Sequence, residues 1–295
     1  MLGEFAVGRA SPETAIEETR LALAFGKHSY GHTVIGYEAD VRAMPEGYEY
    51  SRRFYDRYYR PDDCVVLVAG DFHPEVVEGL FRAAYGDWKR GGPPPQVPQE
   101  PAPAGPQRKA LTWDGPTRPM LDLSFHTPAF DENRRVTAAL ELVGDLFFGE
   151  TSDLYRELVL ERRLVESVGA SFRRTRDPFL FTVDARLRNA SDFDTVRSRI
   201  FAALKKASEQ PVEARRLDAA KRRALASLML SLEAPSGVGW RLSEFVSLTG
   251  DPQSLERHYA NLSAVAPADL MAAARASLVP DRSIEVTLTG KEVRP

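Results

Sequence analysis

The chain has 295 residues, 43% apolar and 27% charged, with a net charge of −3. That length is ample for one or two packed domains, and the composition is ordinary for a globular protein. The slight acidity argues against a nucleic-acid surface, and the longest apolar runs, such as Cys64–Gly70, are strand-length and far too short to span a membrane.

In chain order, Ser11-Pro12-Glu13 reads as a helix start, with Ser11 as cap and Pro12 at the first position, and the helix continues to Gly26. Residues 27–36, punctuated by Gly31 and Gly36, read as a loop. A second helix starts at Pro45, carries Tyr50, Phe54 and Tyr58 on one stripe, and stops at Arg60-Pro61. The run Val65–Ala69 predicts a continuous buried strand. Cys64, the single cysteine, excludes an internal disulfide and is expected as a small core residue. His73-Pro74 opens a third helix that ends near Gly86. Residues 91–107 carry seven prolines and predict an extended, semi-rigid linker.

Beyond the linker, Ala110–Trp113 and Met120–Phe125 read as strands. In the latter, Leu121, Leu123 and Phe125 alternate with Asp122 and Ser124, predicting one face inward and one outward. Helices are expected over 132–148, 152–164, 194–207, 212–232, 237–247 and 268–277. Ser167–Phe172 and Phe179–Leu187 read as a hairpin turning at Arg174-Thr-Arg-Asp-Pro178, and Ser283–Leu288 as a closing strand. Adjacent strand pairs with blocks of helix indicate an α+β fold.

One phrase occurs twice. A helix end, a Pro-Asp break, an apolar strand and a closing Gly span 58–72 and again 279–290. The second copy has a long module before it and the first a short one. The expectation is two related modules with antiparallel sheets covered by helices, the first incomplete: residues 1–90, a linker over 91–107, and residues 108–295.

Tyr58-Tyr-Arg-Pro-Asp-Asp63 with Gly70-Asp-Phe72, together with His28-Ser-Tyr-Gly-His-Thr-Val-Ile-Gly36, resembles the insulinase/pitrilysin/mitochondrial-processing-peptidase zinc metallopeptidases. The resemblance covers nearly the whole chain. It implies that residues 1–90 are the C-terminal part of a catalytic-type module and 108–295 a second, non-catalytic module. Peptide or unfolded protein would be hydrolysed between such modules. The family's chemistry uses His-x-x-Glu-His, whose histidines bind Zn2+ and whose Glu is the general base. This sequence lacks that motif, so no catalytic residue is assigned and the chain alone is expected to be inactive. Counting back from Gly31, the family's distal Glu ligand falls on Glu4. One carboxylate cannot hold zinc by itself, so Glu4 would act only with a second peptidase subunit or a missing N-terminal segment. Substrate-binding residues stay unknown.

Where the family carries an Arg and a Tyr that hold substrate, the register of Leu154-Tyr-Arg-Glu-Leu158 puts Val159 and Glu166. Arg162, Arg163, Arg173, Arg174 and Arg176 are nearby cations, read chiefly as solvated charges. His28 and His32 read as loop-packing or hydrogen-bonding residues, His73 as a surface or capping residue, and His126 and His258 as lacking acidic or cysteine neighbours suited to a site. The basic run Arg215 to Arg223 reads as a solvated helix face. A second reading is a naturally non-catalytic scaffold or partner subunit. A periplasmic or secreted location is carried by family analogy alone.

Overall fold

The computed structural model describes residues 2–92 and 96–291; Pro93, Pro94 and Pro95, within the predicted linker, lie outside them. The helices are α1 (Leu2–Arg9), α2 (Pro12–Ala24), α3 (Glu38–Ala43), α4 (Tyr48–Tyr58) and α5 (Pro74–Tyr85), then α6 (Val136–Phe148), α7 (Asp153–Tyr155), α8 (Phe193–Glu209), α9 (Ala214–Ser231), α10 (Pro235–Thr249), α11 (Ser254–Ala264) and α12 (Pro267–Ser277). The strands are β1 (Gln107–Trp113), β2 (Met120–Thr127), β3 (Val165–Phe172), β4 (Phe179–Leu187) and β5 (Ile284–Gly290). They form one sheet in the order β1-β5-β2-β4-β3. The β1/β5 pair is parallel and the other pairs are antiparallel, so the fold is α+β.

The main core lies on one face of this sheet. Leu121, Leu123 and Phe125 of β2 meet Ala139, Val143 and Leu146 of α6, Ile200 of α8 and Leu270 of α12. Each Leu or Phe buried there contributes about 1.5–3 kcal/mol relative to an exposed side chain. The opposite face, expected outward, is not open. Helix α2 lies across it, burying Ile16 against Met120, Val286 and Leu288, and Leu21 and Phe25 against Leu180 and Ile284. Ser11 caps this helix by accepting the Thr14 amide at 3.3 Å, and Pro12 fixes its first turn.

Three further sequence expectations are corrected. Val65–Ala69 forms neither helix nor strand and pairs with no strand among the described residues, and Val65, Val66, Leu67 and Val68 are exposed. Cys64, expected in a core, is exposed too. Burial comes only from neighbouring strands and covering layers; among the described residues no strand pairs with this segment, and α10 comes near it only at Ala69. The predicted helix over 152–164 is instead the short α7 running into a π-helix over Arg156–Glu161. Just beyond it stands Arg163, whose φ of 52° is the one positive value of a non-glycine among the described residues. Periodicity does not separate an α-turn from a π-turn when Leu154 and Leu158 both face the core.

Candidate functional site

Glu4 sits on α1 and is exposed. Among the described residues no group of three or more His, Cys, Asp or Glu side chains converges as a metal-binding cluster. Glu4 therefore stands as a single carboxylate, a donor set that does not by itself fit a zinc ion.

The most constructed polar site lies between α2 and the sheet. Arg20 Nη1 donates to Asp122 Oδ2 at 2.7 Å, and Ser124 Oγ donates to Asp122 Oδ1 at 2.8 Å. The Ser124 hydroxyl also meets Thr182 Oγ1 at 2.9 Å across the β2/β4 pair. Asp122 stands directly opposite Asp184 in that pair. Like charges facing one another across a sheet repel, and Arg20 offsets this. Burial pushes the Asp122 carboxyl above the usual aspartate range, against the pull of Arg20 and Ser124. A groove of about 330 Å³ runs beside these groups, lined also by Glu13, Glu17, Ser167 and Arg186. The alternation on β2 marks Asp122 and Ser124 as sharing a face, but nothing local to them signals the arginine that covers it, 102 residues away.

His28 and His32 do not form a pair. His28 is turned inward, its Nδ1 accepting the Tyr30 amide at 3.1 Å and its Nε2 lying 3.4 Å from Asp177 Oδ2. His32 is exposed and contacts the carbonyl of Thr33. His73 precedes α5 without a side-chain capping bond. His258, expected to lack acidic partners, lies 3.2 Å from Glu141 in a buried cluster. There Arg174 bridges Glu141 and Glu244 and stacks over Phe245, its guanidinium carbon 5.0 Å from the ring centre. The turn places Arg174 beside a carboxylate 33 residues earlier and another 70 residues later, separations that carry no sequence signal. Arg174 is thus held inside the fold, and Arg162 pairs with Glu157 at 3.1 Å. Arg173 and Arg176 are exposed.

At the positions where the resemblance expects substrate-holding donors, Val159 packs against the core, and Glu166 accepts from Arg118 Nε at 2.9 Å. Neither is a free donor. In the basic run, Arg223 pairs with Asp145, and Lys221 caps the carbonyl of Ser263 at 2.9 Å.

The sheet with its helical layer and the Tyr-Arg-Pro-Asp-Asp segment agree with what comparison with known proteins shows. The profile of the peptidase M16 inactive domain matches residues 47–224, more than half of the sequence, and the chain belongs to that family. A relative, the zinc protease PqqE of Helicobacter pylori, is 25% identical over 229 residues, which are 76% of this chain and 50% of that protein. The chain therefore spans about half the length of this relative. The crystal structure of a protease from Helicobacter pylori superposes with a TM-score of 0.85 at 23% identity, covering 95% of this chain and 67% of that one. A chain of Complex III2 from Candida albicans gives 0.81 at 16% identity, covering 98% and 69%. At those identities the two structures show a shared fold. No helix among the described residues is long and apolar enough to cross a membrane.

Proposed function

We propose that this chain is a portion of a zinc-dependent metalloendopeptidase. Residues 1–90 supply the C-terminal part of the catalytic-type module, 91–107 a linker, and 108–295 the non-catalytic module that walls the chamber for peptide or unfolded protein. The observation that carries this reading is the fate of the repeated phrase. Both copies run from a helix through a 3₁₀ turn, Pro61–Asp63 and Pro280–Arg282, into an apolar run. The second copy continues into β5, which is paired on both sides; the first pairs with no strand among the described residues and exposes Val65 by 58% and Val66 by 52%. The flanking helices leave Tyr50, Phe54 and Tyr58 of α4 and Leu80 of α5 exposed as well. A continuous apolar, Val-rich run is the sequence of a strand sheltered on both faces, so a complementary polypeptide is the fitting neighbour.

Glu4 would then be the third protein ligand of a zinc ion whose two histidines and general base come from that polypeptide. The test is to mix the purified chain with a polypeptide bearing the His-x-x-Glu-His helix and follow peptide cleavage with and without chelator. Chelator-sensitive cleavage that needs both components supports the reading. The same cleavage by this chain alone overturns it.

A second reading, a non-catalytic partner or scaffold subunit, is favoured by Val159 and Glu166, which replace the expected donors. It predicts that the chain assembles stably with the His-x-x-Glu-His polypeptide without raising its cleavage rate.

A further inference from the structure

The Pro-rich segment places one carboxylate in an unusual setting. Glu100 Oε2 accepts the backbone amides of Lys27 at 2.8 Å and His28 at 3.0 Å, and the Gly26 amide is directed at the same carboxylate. Three successive N–H groups converging on one anion make a nest. Burial acts to raise the Glu100 carboxyl, and these amides outweigh it, holding it below the usual range. The loop is fixed from behind. Phe25 stacks on Phe179 with ring centres 5.6 Å apart and meets His126 edge-on at 5.2 Å. Gly31 is needed there, because a Cβ at that position would stand 2.5 Å from the Phe25 carbonyl oxygen.

Beside the nest lies a cavity of about 240 Å³ lined by His28, His126, Pro101, Pro178, Ser277 and Arg282. The His28 side chain is 3% exposed, and its Nε2 lies 3.4 Å from Asp177 Oδ2 without meeting hydrogen-bond geometry. Since Nδ1 accepts from Tyr30, a neutral ring carries its proton on Nε2, where it faces the Asp177 carboxylate. Arg282 adds a cation and the prolines add apolar wall.

We propose that the amides of Gly26, Lys27 and His28 form a carboxylate-binding nest, filled here by Glu100, that receives the C-terminal carboxylate of a peptide when the Pro-rich segment lifts away. Arg282 supplies a cation to the incoming group, and the cavity takes the terminal side chain. Residues 96–106 have no helix or strand to hold them, so local opening costs less than unfolding a core element. The peptide as bearer of the carboxylate rests on the proposed peptidase reading; the nest itself does not.

The experiment uses the full chain and two variants, E100A and E100Q, the latter keeping side-chain size should the former fold poorly. Thermal melting is followed in sodium chloride and in sodium acetate of equal ionic strength. Binding of one short peptide is then compared as the free acid and as the C-terminal amide. The variants are expected to melt about 2–4 °C below wild type in chloride. Acetate should restore them and leave wild type unchanged. The free acid should bind the variants at least about tenfold more tightly than the amide, the order of one charge-assisted contact. Variants indifferent to acetate overturn the nest. Acetate rescue with equal binding of acid and amide overturns the peptide terminus as ligand and leaves small free carboxylates as the nest's occupants. No cleavage is measured, so failure here and failure of the peptidase reading are separate results.

Discussion

Leu67 and Val286 occupy the same place in two copies of one local fold, each six residues after the proline that opens a 3₁₀ turn. Val286 is fully buried between β1 and β2, whereas Leu67 is 37% exposed. A similar local phrase thus carries different energetic weight in its two settings. Leu67→Asp should leave the melting of the isolated chain within about 0.5 kcal/mol of wild type, as surface substitutions do. Val286→Asp buries an unpaired charge and should prevent folding. Calorimetry of both variants checks this, and a large loss in L67D would mean the segment is already sheltered in solution.

Arg20→Met removes the only cation contacting Asp122 among the described residues. Breaking a buried pair in this way costs up to about 3–5 kcal/mol. The sign with pH follows from the raised Asp122 carboxyl. The folded state holds that proton more tightly than the unfolded chain, so stability falls as pH rises from the ordinary aspartate value toward the raised one. With Asp122 neutral in acid there is little ion pair left to lose. Urea unfolding should therefore show a larger loss for R20M at pH 7 than at pH 4, and equal losses would contradict the arrangement.

Glu141 behaves oppositely. Burial acts to raise its carboxyl, but the His258 hydrogen bond and the Arg174 charge outweigh it and hold it below its ordinary value. Its contribution is complete above that ordinary value and disappears as pH falls through the lowered one. Glu141→Gln should be less stable at neutral pH, with a flatter acid limb below pH 4.5. Denaturant titrations from neutral to acid pH measure both slopes; an unchanged acid limb would remove Glu141 from the account.

Ser11→Ala leaves the Thr14 amide without its cap and should cost about 1 kcal/mol. Because α2 covers the sheet, the loss should appear in the same cooperative transition as the main core. A separate early transition would show that α2 docks independently.

Much of the fold was legible wherever the chain's periodicity and its tertiary neighbours agree. The Ser11-Pro12 start, the strand at β2 and the turn from β3 to β4 follow from residues close in sequence. The contacts that make polar clusters do not. Arg20 reaches Asp122 and His258 reaches Glu141 across long separations, and each residue taken locally reads as ordinary surface charge or loop. The run Val65–Ala69 shows the converse: its apolar pattern is local, but its burial would depend on strands that nothing in that run specifies. The Glu4 register follows from the family resemblance, since an exposed Glu on a short helix has no distinguishing chemistry of its own.

The central claim is that Glu4 completes a zinc site whose other ligands come from a second polypeptide. The direct measurement is zinc stoichiometry and chelator-sensitive cleavage for the chain mixed with a polypeptide carrying the His-x-x-Glu-His helix, comparing wild type with Glu4→Gln. One zinc per complex, with cleavage that needs both components and is lost in E4Q, is the predicted result. Zinc binding and cleavage unchanged in E4Q, or full cleavage by this chain alone, would contradict it.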